Sequence, residues 1–192
     1  MSHPDDYLER ILTSRVYDVA VESPLDVAHN LSSRLNNRIL LKREDLQPVV
    51  SFKCRGAYNK MARLTAAQLA RGVVAASAGN HAQGVALAAQ KLGATAIIVM
   101  PATTPKIKID AVAARGAQVI LHGDNYDEAC DHATRLAKEA KATFVHPYDD
   151  PDVIAGQGTV GLEMMEQAAA LGAVPDIVLV GASGGGLIGG VS

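Results

Sequence analysis

Apolar positions along the chain alternate between two rhythms. Phe52, Ala57, Met61 and Leu64 recur at roughly helical spacing and predict a helix over 52–64; Val85, Ala88, Ala89 and Leu92 predict another over 80–92. Short apolar runs at Val73–Ser77, Ala96–Met100, Gln118–Leu121, Thr143–Val145 and Ile177–Gly181 read as buried strands. Helices over 105–115, 125–140 and 152–170 occupy the intervals, and Gly93, Gly116 and Gly172 fall where helices should end. Upstream, Tyr7, Leu8, Ile11 and Leu12 predict a helix over Tyr7–Tyr17. Asp26–Leu35 reads as a short helix or loop, and Arg38–Lys42 as a strand running into a polar loop that ends at Pro48. Strands alternating with helices predict the α/β class, with open parallel sheets and flanking helices. Turn formers cluster at His146–Pro151 and mark a boundary. A strand–turn–helix unit begins at Ile177 and stops almost at once, so the expectation is that a second, larger unit is incomplete.

Composition narrows the class. The chain has 192 residues, 48% of them hydrophobic and 20% charged, enough for a sizeable core in one or two units. Lys and Arg number 18 against 20 Asp and Glu, with no basic cluster, so a nucleic-acid partner lacks electrostatic support. No uncharged apolar run is long enough for a bilayer, which excludes a membrane-spanning helix. Ser2-His3-Pro4-Asp5-Asp6 lacks the basic and apolar regions of a signal peptide. The two cysteines, Cys54 and Cys130, form neither a disulfide framework nor a zinc pattern; no metal site is expected, and a reducing cytoplasm suits them.

Three stretches carry candidate chemistry. In Ser51-Phe52-Lys53-Cys54-Arg55-Gly56-Ala57, Ser51 is placed to cap a helix. Lys53 then lies near the positive end of the helix dipole with Arg55 close by, which disfavours its ammonium form and favours a nucleophilic amine. A solvated surface lysine is the plainer alternative. Ser77-Ala78-Gly79-Asn80-His81-Ala82-Gln83-Gly84 joins a strand to a helix, where small residues let backbone N–H groups meet a carboxylate or phosphate; a simple tight turn capped by Asn80 is equally compatible. Ser183-Gly184-Gly185-Gly186-Leu187 also follows an apolar run, and its consecutive N–H groups suit a phosphate. Gly184, Gly186 and Gly189 satisfy the dinucleotide pattern, but so do Gly156, Gly158 and Gly161, which follow no predicted strand, so that pattern is weak here. An amine, a carboxylate-sized turn and a phosphate-sized turn are the parts a pyridoxal phosphate enzyme needs.

These stretches, together with Ile154-Ala155-Gly156-Gln157-Gly158-Thr159, Leu41-Lys42-Arg43-Glu44-Asp45, Ile98-Val99-Met100-Pro101 and Lys106-Ile107-Lys108, closely resemble threonine ammonia-lyases (threonine dehydratases) of the biosynthetic type. The resemblance runs in order from about Tyr7 to Val191. It implies the tryptophan-synthase-β-like fold, fold type II of the pyridoxal 5'-phosphate enzymes. It also implies a smaller domain, 41–145, set into a larger one built from 1–40 and 146–192 and incomplete here. By the same resemblance Lys53 is the catalytic lysine that carries the cofactor, Phe52 lies beside the cofactor ring and Asn80 contacts its 3′-oxygen. Ser183, Gly184, Gly185, Gly186 and Leu187 cradle the phosphate, while Ser77, Ala78, Gly79, Asn80 and His81 hold the substrate carboxylate.

The implied reaction converts L-threonine to 2-oxobutanoate and ammonia, toward isoleucine, in a cytoplasmic homo-oligomer with a small amino-acid substrate. Serine dehydratases and serine racemases share the motifs, and a non-catalytic fragment serving as a subunit or interaction module is a further alternative. Ser183 departs from the glycine usual in the family, although its hydroxyl can still donate to a phosphate. The incomplete larger domain implies weak or absent activity and exposed apolar edges that favour association.

Overall fold

The computed structural model describes residues 4–192, with side chains from Tyr7 onward; Ser2 and His3, used above for the leader argument, lie outside the described residues. The elements run α1 (Pro4–Leu12), β1 (Leu25–Val27), α2 (His29–Leu35), β2 (Leu40–Lys42), α3 (Lys53–Ala62), α4 (Ala66–Arg71), β3 (Val73–Ala76), α5 (Asn80–Leu92), β4 (Ala96–Met100), α6 (Lys106–Ala113), β5 (Gln118–Leu121), α7 (Tyr126–Glu139), β6 (Thr143–Phe144), α8 (Pro151–Ala170) and α9 (Ile188–Val191). Four parallel strands in the order β5-β4-β3-β6 form the main sheet, and β1 and β2 form a separate antiparallel pair.

Period-two alternation along β3 builds three layers. Val73 and Ala75 face α3 and α5 through Ala57, Met61, Ala82, Val85 and Ala89, whereas Val74 and Ala76 face α7 through Ala129, Ala133 and Ala137. All four strand residues are buried, which explains the uninterrupted apolar run read from the sequence. The alanines keep these helices close to the sheet.

Helix α3 is held between α5 and α8 by contacts that leave no room for side chains. A Cβ on Gly156 would lie 2.7 Å from Gly56 Cα and 2.8 Å from the Arg55 carbonyl oxygen, and one on Gly84 would lie 2.9 Å from the Lys53 carbonyl oxygen. A Gly156→Ala substitution gains about 1 kcal/mol of helix propensity, but forcing two backbones apart costs roughly 3 kcal/mol. A net loss of about 2 kcal/mol lowers the melting temperature by about 4–8 °C. Gly189→Ala, with nothing within 4 Å of its new Cβ, should melt no lower than the parent in the same calorimetric scan.

Several expected elements change on folding. The first helix ends at Leu12 rather than Tyr17, because the Thr13 and Ser14 hydroxyls donate to the carbonyls of Glu9 and Arg10 four residues back and the chain turns away. Helix α3 starts at Lys53 with Phe52 in the cap position; Ser51 Oγ still accepts the Lys53 N–H at 3.3 Å, so its capping role survives one residue further out. The stretch read as helix or loop over 26–35 divides into β1 and α2. Helix α4 was not anticipated, although Thr65 and Gln68 form the reciprocal capping box that announces it. The expected strand Ile177–Gly181 is irregular chain: no described strand lies beside it to complete a ladder, and Ile177 and Leu179 are 78% and 93% exposed.

Candidate functional site

Lys53 opens α3 and Phe52 precedes it, with the Lys53 Nζ 5.5 Å from the Phe52 ring centroid. The amine donates to the Pro147 carbonyl oxygen at 2.7 Å. Burial pushes the lysine below its ordinary value, as expected, but for a different reason from the one read in the sequence. Arg55, credited with repelling the ammonium, is fully buried on another face of α3, where its guanidinium binds Glu44 and Glu163. Cys54, next to Lys53, is no rival nucleophile: burial pushes its thiol up to about 11.

The glycine turn anticipated at Ser183–Leu187 stands across from this lysine. Phe52, Lys53, Tyr148 and the 183–188 turn line one cavity of about 130 Å³. Gly185 has a φ of +91°, the left-handed region in which a side chain is strained. Among the described residues, the N–H groups of Gly184, Gly185, Gly186 and Leu187 donate to no backbone acceptor. Free N–H groups on a glycine turn that leads into a helix are a receptor for an anion. The Tyr148 ring stands on this turn, since a Cβ at Gly184 would run into it and one at Gly186 would come 2.8 Å from the Tyr148 carbonyl oxygen. That ring takes up part of the space and leaves a cavity smaller than the roughly 300 Å³ usual for a ligand site.

The Ser77–His81 turn reaches the lysine indirectly. It follows the C-terminal end of β3, and α5 brings it alongside Lys53 through the Gly84 contact. Ser77 Oγ accepts the Gly79 N–H at 3.1 Å, and Gly79, rather than Asn80, occupies the cap of α5. Ser77, Ala78 and Gly79 are half-buried and Asn80 is exposed. None of the five lines the cavity shared by Lys53 and the glycine turn.

His81 is buried, with Nε2 2.9 Å from the Val145 carbonyl oxygen. A carbonyl only accepts, so Nε2 carries the hydrogen, and the unpartnered Nδ1 is a bare acceptor. Burial pushes the ring down to about 4, which keeps it neutral in ordinary buffers.

Sequence reasoning missed His146, Pro147 and Tyr148 as parts of the site and read them only as turn formers at a boundary. The available signal was an aromatic and a histidine within a proline turn. A larger hollow of about 390 Å³ lies where α5 and α6 end, but its wall of alanine and glycine with Gln90 and Arg115 offers neither nucleophile nor anion turn. Among the described residues, no three or more His, Cys, Asp and Glu side chains form a metal cluster, and no helix is long and apolar enough to cross a membrane.

A desolvated amine beside an aromatic ring, facing free N–H groups, fits a cofactor that joins an aldehyde to a phosphate. Comparisons with known proteins point the same way. The chain is 59% identical over 187 residues to the biosynthetic, chloroplastic threonine dehydratase of Arabidopsis thaliana, which covers 97% of this chain and 31% of that protein. It is 55% identical over 190 residues to the biosynthetic L-threonine dehydratase of Burkholderia multivorans, covering 97% and 37%. Among solved structures, the processed form of threonine deaminase isoform 2 from Solanum lycopersicum superimposes with a TM-score of 0.91 at 52% identity, over 99% of this chain and 55% of that one. The chain thus spans about a third of the length of these two relatives. The family model described as pyridoxal-phosphate dependent enzyme matches residues 17–192, a span that takes in both Lys53 and the glycine turn, and the chain belongs to that family.

Proposed function

We propose that this chain carries the cofactor-binding lysine and phosphate turn of a threonine ammonia-lyase, which converts L-threonine to 2-oxobutanoate and ammonia. The observation that carries the reading is the single cavity shared by Lys53 and the 183–187 turn, supported by relatives at 55–59% identity that bear the threonine dehydratase name. In this reading the N–H groups of Gly184–Leu187 hold the cofactor phosphate and Phe52 flanks its ring. Asn80 contacts the ring oxygen, and Ser77–His81 hold the substrate carboxylate. Pyridoxal phosphate supplies an electron sink for the bond broken at the substrate Cα. Lys53 first anchors the cofactor and then, as a free amine, takes the Cα proton; burial keeps that amine in reach of its neutral form.

The same reading divides the chain into a smaller unit over 41–145, which contains the whole parallel sheet, and flanks 1–40 and 146–192 that belong to a larger one. It also takes the protein as a cytoplasmic homo-oligomer. Cys54 and Cys130 are both unpaired, as a reducing compartment requires, and the apolar side chains exposed around Ile177–Leu179 favour association.

Borohydride added after pyridoxal phosphate should leave the cofactor mass on the peptide containing Lys53. Labelling of another lysine, or none, rejects the assignment. A search for 2-oxobutanoate from threonine, and for pyruvate or D-serine from serine, separates the threonine reading from serine dehydratase and racemase. The latter has structural support, because maize serine racemase superimposes with a TM-score of 0.88 at 34% identity. Gly185→Ala forces a side chain into a left-handed backbone at a cost of about 1–2 kcal/mol. Cofactor affinity, followed by the visible absorption of the adduct, should therefore fall about tenfold.

A further inference from the structure

The turn that touches both halves of the site is itself held by one imidazole. His146 Nδ1 accepts the backbone N–H of Asp149 at 2.8 Å and that of Tyr148 at 3.3 Å. Its ring meets Tyr148 edge-on at 4.7 Å between centroids and Phe144 of β6 at 6.1 Å. Between those anchors lie the Pro147 carbonyl oxygen, which receives the Lys53 amine, and the Tyr148 ring, which stands on Gly184 and Gly186. Here Pro147 is buried, His146 and Tyr148 are half-buried and only Asp149 is exposed. A turn rich in proline and aspartate has many conformations open to it. Two N–H groups converging on one ring nitrogen select the one that meets Lys53 on one side and the glycine turn on the other.

We propose that His146 is a positioning residue for Lys53 and the anion turn: with Nδ1 bare, it fixes the 146–149 turn in the conformation that presents Pro147 and Tyr148. Donors on Nδ1 place the ring hydrogen on Nε2, so only one neutral tautomer serves. A proton on Nδ1 would face two N–H groups and release the turn. The groups around the ring set where that happens. Burial lowers its proton affinity most, Asp149 and Asp150 oppose this, and the Lys53 charge adds to the lowering, so the ring lies below the usual histidine value. The turn is therefore intact at neutral pH and opens in acid.

The inference rests on the reading that Lys53 takes pyridoxal phosphate, and the experiment separates the two. Cofactor affinity is measured by absorption for the parent chain, His146→Ala and His146→Asn, with circular dichroism as a check on folding. The alanine variant should bind about 10–100-fold more weakly. The asparagine variant, whose Oδ1 can accept the same N–H groups as an Asx turn, should recover to within about threefold of the parent. As the pH falls below the ordinary histidine value, the parent should lose affinity more steeply than the asparagine variant. Nitrogen NMR of the histidine-labelled chain, which needs no variant and no cofactor, should show His146 at pH 8 as the Nε2–H tautomer. Equal affinity for parent and alanine variants overturns the proposal. So does an asparagine variant no better than alanine, or an Nδ1–H signal for His146. If the parent itself captures no cofactor on Lys53, the functional reading fails, and the NMR result still decides what His146 does in the fold.

Discussion

Lys53→Ala should abolish covalent capture of pyridoxal phosphate and lower turnover of threonine by about 10³-fold or more. The argument has two parts. The alanine removes the amine that faces the glycine turn across the shared cavity, and no other lysine lines that space. In the proposed reading it also removes the amine that takes the substrate proton. Lys53→Arg tests the chemistry apart from the charge. A guanidinium keeps the cation beside Phe52 but has no amine to release and stays protonated at any accessible pH, so it should be as inactive as alanine. Both variants should keep the parent's melting temperature to within a few degrees, since the Lys53 side chain makes a single hydrogen bond, to Pro147. Mass spectrometry after borohydride reads the loss of capture, and ketoacid release reads the loss of turnover. An arginine variant that retains activity would show that residue 53 is a spectator.

Glu163→Ala should cost about 3–5 kcal/mol of stability. Glu163 on α8 is buried, and its carboxylate accepts from Arg55 through both oxygens, from Lys42 at 2.5 Å and from the Tyr17 hydroxyl at 2.8 Å. Arg55 also takes both oxygens of Glu44. The cluster holds two cations and two anions, and deleting Glu163 leaves an excess positive charge in a fully buried place. An exposed pair such as Lys106 and Asp110 is the contrast. Its side chains are 84% and 58% accessible, so Asp110→Ala should change stability by no more than about 0.5 kcal/mol.

The Glu163 cluster also predicts a pH dependence. Burial pushes the Glu163 carboxyl up, but the hydrogen bonds from Arg55, Lys42 and Tyr17 and the charge of Arg55 outweigh it, and the folded-state value lies below the ordinary one. A depressed carboxyl binds its proton more weakly in the folded chain than in the unfolded one. Its contribution is therefore complete above about pH 5, declines as the pH passes the unfolded value near 4.3, and is gone below the folded-state value. Denaturant titrations from pH 7 to pH 3 should show the parent losing more stability in this window than Glu163→Ala does.

Much of this could be read in the chain and some of it could not. Strands β3 and β4 were placed within a residue, because a strand buried on both faces is written as an unbroken apolar run. Strand β5, at the sheet edge with Gln118 and Leu121 exposed, was legible only through the shorter run Val119–Leu121. Helix α5 was placed to the residue, its apolar positions and closing Gly93 both being local signals. Ile177–Gly181 has the same apolar look, yet a strand exists only through hydrogen bonds to a neighbour, and no described strand lies beside it. Lys53 and the Ser183–Leu187 turn were candidates in the sequence, but a solvated surface lysine was the plainer reading there, and only the fold shows the two lining one cavity. Arg55 was misjudged. Its spacing from Lys53 puts it on another face of α3, but only the fold shows that the face is filled by carboxylates.

What the sequence determined by itself was therefore whatever depends on near neighbours in the chain: the alternation of strand and helix, the helix ends at glycine, and the two glycine-bearing turns. The tertiary structure alone decided that Lys53 faces the 183–187 turn, that Tyr148 stands on it, and that one histidine ties down the loop between them. The reason is physical. These relations are set by how closely α3 can approach α5 and α8, which depends on atoms missing at Gly56, Gly84 and Gly156. A missing side chain shows its effect only when the opposing backbone is there to fill the gap.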